Sequence, residues 1–119
     1  MDHRQDFGRK NEKRAERFLR AQKHRAVTKN YRTAEGELDL ITLSPEGMLV
    51  FTEVRSRRSD TAVHPAETVN ARKQAHLRRA AMQFLYAHPE HQARVCRFDV
   101  ITIVGEGRAA TLEYFPDAF

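Results

Sequence analysis

The stretch Gly36-Glu-Leu-Asp-Leu-Ile-Thr-Leu43, then Ser44-Pro-Glu-Gly47, then Leu49-Val-Phe-Thr-Glu-Val-Arg55, decides the fold. Two runs rich in apolar and β-branched residues flank a segment of turn chemistry, in which Pro45 fixes φ early and Gly47 is free to take positive φ. This pattern predicts an antiparallel hairpin. Its apolar runs do not alternate strictly, which places the two strands in the centre of a sheet covered on both faces.

Outward from the hairpin, residues 8–23 predict an amphipathic helix. Ala15, Phe18 and Leu19 fall at helical spacing, and Lys13, Arg14, Arg17 and Arg20 lie on the opposite side. Val27 to Arg32 reads as a short strand. Beyond the hairpin, Ser56 to Pro65 is polar and basic and reads as a mobile loop. A long helix is expected from about Ala66 or Glu67 to Ala87, with Val69, Leu77, Ala80 and Phe84 on one face and His88-Pro89 ending it. Arg97 to Val104 and Thr111 to Phe115 read as a second hairpin around Gly105-Glu-Gly107. Strand, long helix and strand in succession form a right-handed β-α-β crossover, with its two strands parallel. The expected class is α/β, in the order α-β-β-β-α-β-β, as one domain over residues 1–119.

The composition bounds the function. With 119 residues, 40% hydrophobic and 31% charged, the chain supports one small core. No stretch approaches the roughly 20 apolar residues of a membrane span, and Met1-Asp-His-Arg carries no apolar signal segment. Cys96 is the only cysteine, so an intrachain disulfide and a thiolate cluster for zinc are both excluded, and a cytoplasmic setting is expected. Twenty-one Lys and Arg against sixteen Asp and Glu favour a polyanionic partner. The basic residues crowd into Arg9 to Arg25, Arg55 to Arg58 and Arg72 to Arg79.

The chemistry centres on Asp39 and the Glu53-Val-Arg55 segment. Glu53 and Arg55 share a face because the side-chain period of a strand is two. Two carboxylates from neighbouring strands suit a Mg²⁺ ion, which takes hard oxygen ligands, and the Val54 carbonyl is a further candidate ligand. The register decides whether they meet. A four-residue loop sets Asp39 opposite Thr52, whereas a five-residue loop ending at Met48 sets it opposite Glu53, about 5 Å away. Only the second register makes a site, and the competing reading is that Glu37, Asp39 and Glu53 are exposed strand acids paired with Arg. On the first helix, Glu12 lies about 20° from Leu19 on the wheel, so a carboxylate borders the buried stripe.

Gly8-x3-Glu12-x2-Ala15-x2-Phe18-Leu19, Asn30-Tyr-Arg32, Gly36-Glu-Leu-Asp-Leu-Ile41, Val50-Phe-Thr-Glu-Val-Arg55-x-Arg57, Lys73, Ala80-Ala81 and Arg97-Phe-Asp-Val100 form an ordered set. In order and spacing this set resembles the small bacterial YraN-like proteins. That family is similar to the archaeal Holliday-junction resolvases of the PD-(D/E)xK, restriction-endonuclease-like superfamily. The resemblance implies a restriction-endonuclease-like fold and phosphodiester cleavage dependent on Mg²⁺ or Mn²⁺, with branched DNA among the candidate substrates. It sets Glu12, Asp39 and Glu53 at the acidic positions, Asp39 and Glu53 being the metal ligands. It also implies a nucleic-acid partner, DNA ahead of RNA. Related resolvases work as dimers, which allows a homodimer here, although the sequence offers no exposed apolar stripe to form one.

The family usually reads Glu-Val-Lys where this chain has Arg55. A guanidinium does not release a proton near neutral pH, so it cannot be a general base, but it can orient a phosphate and stabilise charge. Lys73, within the apolar stripe of the second helix, is a candidate replacement; alternatively its stem covers apolar surface and its amine reaches solvent. Arg32, Arg57, Arg58 and Arg72 are the expected phosphate contacts. The competing reading is a non-catalytic nucleic-acid-binding or adaptor protein that kept the nuclease fold. His64 is expected to be a solvated loop residue, and His88 and His91 have metal-like spacing but lack further ligands. Asp99 is expected in a structural ion pair with an Arg, and Cys96 in the core.

Overall fold

The computed structural model describes residues 3–58 and 69–119, the side chains from residue 6 onward. In chain order it has α1 (His3–Ala21), β1 (Arg25–Thr33), β2 (Gly36–Leu43), β3 (Leu49–Arg57), α2 (Ala71–Ala87), β4 (Cys96–Val104) and β5 (Thr111–Phe115), with short 3-10 turns at Pro89–His91 and Gly107–Ala109. The class and order are the expected ones. The five strands lie in the order β1-β2-β3-β4-β5, and every neighbouring pair is antiparallel except β3 and β4. Those two are parallel because α2 carries the chain back over the sheet between them.

Each helix covers one face. Ala15 and Leu19 of α1 pack with Leu40, Ile101 and Ile103. Leu77, Ala80, Ala81 and Phe84 of α2 pack with Leu38, Ile41, Phe51, Phe98 and Val100 on the other face. The helix α1 ends in a Schellman turn, with Lys23 at φ +69°, His24 N donating to Leu19 O and Lys23 N donating to Arg20 O. That turn stops α1 at Ala21, two residues before the expected end.

The helix α2 begins later than its apolar spacing implies. Residues 66–68 lie outside the described region, and Val69 and Asn70 precede the helix. Asn70 is the N-cap, its side chain accepting from Lys73 N at 2.9 Å. Val69 is still buried, reaching the core from outside the helix. Ser56 and Arg57, expected in a loop, continue β3, because β4 is long enough to pair them with Ile103 and Val104. His64 and Pro65 lie outside the described residues. Met82 and Tyr86, one turn apart on the outer side of α2, are exposed apolar side chains that the sequence reading did not single out.

A local reversal in β1 and β2 shapes the surroundings of the acids. Lys29 pairs with Glu16 on the α1 side at 3.3 Å, yet Tyr31 packs edge-on against Phe84 on the α2 side. Ordinary pleating would put residues two apart on the same face. Asn30 between them has φ +51°, a left-handed conformation that Asn tolerates better than most residues, and it turns the strand over. Across the ladder, Leu38 packs on the α2 side and Leu40 on the α1 side. Asp39 therefore sits where the sheet changes face.

Candidate active site

The β2–β3 hairpin takes the five-residue loop: Leu43 pairs with Leu49, and the ladder runs to Leu40 opposite Thr52. Asp39 is next in line with Glu53. There the ladder ends, and the Val54 N–H donates instead to Asp39 Oδ2 at 2.9 Å. The side chain of Asp39 thus replaces a backbone acceptor at the point where the two strands part.

On one side of Asp39 stands Glu53, buried on β3. Its Oε2 lies 3.4 Å from Arg55 Nε and 3.5 Å from Lys73 Nζ. Lys73 is on the first turn of α2, so the late start of that helix sets its amine against β3. On the other side, Glu12 of α1 and Glu37 of β2 converge on Asp39, with one carboxylate oxygen of each within 4.8 Å of the others. The Asn30 carboxamide, turned so that its nitrogen faces the acids, donates to Glu37 Oε1 at 2.9 Å and Glu12 Oε2 at 3.1 Å.

Burial, the neighbouring charge of Glu53 and a hydrogen bond with it push the Asp39 pKa up to about 8, against the opposing pull of the Val54 N–H and Lys73. Glu12 is raised as well, first by burial and then by Asp39, with the Asn30 amide acting the other way. Such a constellation is costly when every acid is ionised. It fits a hard divalent cation, since its donors are carboxylate oxygens gathered from three elements. Arg32 lies 3.6 Å from Glu37 at the border of this group.

Of the residues singled out in the sequence, Glu12, Asp39, Glu53, Arg55 and Lys73 are thus brought into one region. Of the four proposed phosphate contacts, Arg32 borders the acids through Glu37. Arg57 and Arg72 are exposed, at the end of β3 and the start of α2. Arg58 pairs with Glu106 at 3.1 Å and lies over the Phe7 ring, 4.7 Å from its centroid. Glu37 and Asn30 were missed as site residues; a second acid two positions before Asp39 was the available signal.

The remaining candidates are structural. Asp99 is fully buried and accepts from Arg97 Nε at 2.9 Å, Arg97 Nη2 at 3.0 Å, the Asp117 N–H at 2.9 Å and the Tyr114 hydroxyl. His88 stacks on Phe84 with ring centroids 4.0 Å apart. Cys96 packs, partly buried, against the core.

Comparison with known proteins shows the family of the chain. The model of the uncharacterised protein family UPF0102 matches residues 11–103, a span that contains every acid of the site. A UPF0102 protein of Myxococcus xanthus is 38% identical over 116 residues, 98% of this chain and 90% of the relative. One from Desulforamulus reducens is 40% identical over 117 residues, covering 97% and 96%. One from Alcanivorax borkumensis is 42% identical over 113 residues, covering 94% and 90%.

Proposed function

We propose that this chain, which belongs to the uncharacterised protein family UPF0102, binds nucleic acid in the cytoplasm and hydrolyses its phosphodiester bonds with a divalent metal. The observation that carries the reading is the meeting of Glu12, Glu37 and Asp39 beside a Glu53 held by two cations. Glu12, Glu37 and Asp39 are the residues that would hold Mg²⁺ or Mn²⁺, with Glu53 completing the acidic wall. When bound, the ion supplies charge neutralisation at the phosphate and acidification of water.

The protein's own groups do the rest. Arg55 offers a fixed fork of donors to a phosphate oxygen. Lys73 offers three donors and, unlike a guanidinium, can release and accept a proton. Glu53 positions both. The lysine missing from the strand is thus replaced in space by one from α2.

The replacement of strand lysine by Arg55 also favours a second reading, a nucleic-acid-binding or adaptor protein without turnover. One set of assays separates the two. Wild-type protein is incubated with linear, flapped and four-way DNA and with RNA, with and without Mg²⁺ or Mn²⁺. Hydrolysis predicts metal-dependent cleavage that Asp39→Asn and Glu53→Gln abolish and that falls at least ~100-fold in Lys73→Ala. Arg55→Lys is expected to raise the rate. Binding without cleavage by both wild type and Arg55→Lys would leave the non-catalytic reading standing.

A further inference from the structure

A cavity of about 330 Å³ lies between the C-terminal half of α1 and the β1–β2 ladder. It is lined by α1 and β2, which carry Glu12, Glu37 and Asp39, and by β1, which carries Asn30. Along α1 the acid Glu12 is followed one turn later by Glu16 at the cavity wall, about 6 Å up the axis. Along β2, Asp39 is followed by Leu40 and Thr42, about 10 Å further on. Along β1, Asn30 is followed in the reverse direction by Lys29, Thr28 and Ala26. The space opens where the β1–β2 register shifts between Ala26 and Thr28. The cavity thus lies next to the acids along the chain, about one helical turn away on α1 and about three residues away on β2.

The lining selects the kind of guest. Leu19 and Leu40 give buried apolar walls, and Ala26 leaves room because its side chain is a methyl group. Thr28, Thr42 and His24 supply hydroxyl and imidazole groups that both donate and accept. His24 is buried, with Nδ1 2.8 Å from Thr42 Oγ1. Burial, and then the Arg97 charge, pull its pKa below the ordinary imidazole value, so it is a neutral donor and acceptor. Glu16 and Lys29 neutralise each other at the rim, and Arg20 adds a cation at the mouth. Apolar walls, mixed hydrogen-bonding edges and little net charge suit a flat, neutral heterocycle better than a phosphate or an acyl chain.

We propose that this cavity receives one unpaired nucleobase from the strand whose phosphate lies at the acids. This inference rests on the nucleic-acid reading above and narrows its substrate class to strands with an unstacked nucleotide beside the scissile bond, as in single-stranded or branched nucleic acid. Base extrusion costs least where the base is already unpaired, which makes such a pocket a selector of structure over sequence.

The test has two arms, each run on the full chain. In the first, adenosine, thymidine and, separately, inorganic phosphate are titrated into labelled protein and amide resonances are followed by NMR. The nucleosides are expected to shift His24, Thr28 and Thr42, and phosphate is not. In the second, a strand carrying 2-aminopurine at successive positions is bound in Ca²⁺. Its fluorescence is expected to rise roughly threefold at one position as that base leaves the stack. Ala26→Trp, which fills the cavity from the edge strand, is expected to abolish both signals and weaken binding of that strand about tenfold. Thr28→Leu, smaller and on the same strand, provides the same test if the tryptophan variant fails to fold. Binding of the strand to wild type and variant alike, with no fluorescence change, overturns the pocket and leaves nucleic-acid binding intact. Absence of any strand binding at low salt overturns the functional reading instead, and the nucleoside arm then decides the cavity: no shifts, or equal shifts with phosphate, overturn it.

Discussion

Asp39 is the residue on which the site turns, and its protonation has a measurable cost. In the unfolded chain its carboxyl titrates near the ordinary 3.8, and in the fold burial and Glu53 raise it to about 8. Between those values the folded state keeps a proton that the unfolded state has released. Its contribution to stability is therefore complete below about pH 4 and is lost as pH rises towards 8. Metal-free protein is expected to melt at progressively lower temperature over that range. Asp39→Asn should flatten the dependence and stabilise the metal-free protein by about 2 kcal/mol at pH 8. Mg²⁺ should restore stability to wild type alone, as read from thermal melts with and without EDTA. A melting curve insensitive to both pH and metal would remove the electrostatic account of the acids.

At the scale of elements, the reversal at Asn30 brings acids from β2 and α1 together. Two substitutions separate its backbone role from its side-chain role. Asn30→Gly keeps a residue that accepts positive φ, whereas Asn30→Ala adds a left-handed penalty of about 1–2 kcal/mol. Alanine should therefore lower the denaturant midpoint well beyond glycine, and both should weaken metal binding through loss of the amide between Glu12 and Glu37. Much of this architecture is legible in the sequence. Pro45 and Gly47 mark the hairpin turn, the two apolar runs give the strands beside it, and loop length reduces the register to two choices. The reversal is not legible, because one left-handed Asn leaves no trace in a period-two pattern. Glu37 is hidden for the same reason: its neighbours suggest a solvent-facing acid, and only the turned strand carries it to Glu12. The start of α2 is obscured by Val69, whose apolar side chain fits the helical stripe although Asn70 caps the helix after it.

For the whole molecule, the formal net charge is +5. Nucleic-acid affinity should fall steeply with salt, by about 0.9 in log-log slope for each phosphate neutralised on a duplex. Replacing Arg57 and Arg58 together by Ala should make the slope shallower by about 1–2, measured by fluorescence anisotropy over a salt series. Salt-insensitive binding would argue for a protein partner. The parallel pairing of β3 with β4 carries a further consequence, in time. It joins residues as distant as Leu49 and Cys96, whereas the hairpin beside it joins Leu43 to Leu49. Closing the longer loop costs more chain entropy, so the β1–β2–β3 meander should form early and the β4 seam late. Shortening Ile41 or Phe51 should then slow refolding, while shortening Ile101 should chiefly hasten unfolding. The acids would be assembled on a young, half-built sheet, and the lysine would reach them only when α2 and β4 dock, which makes the last folding step also the one that completes the site.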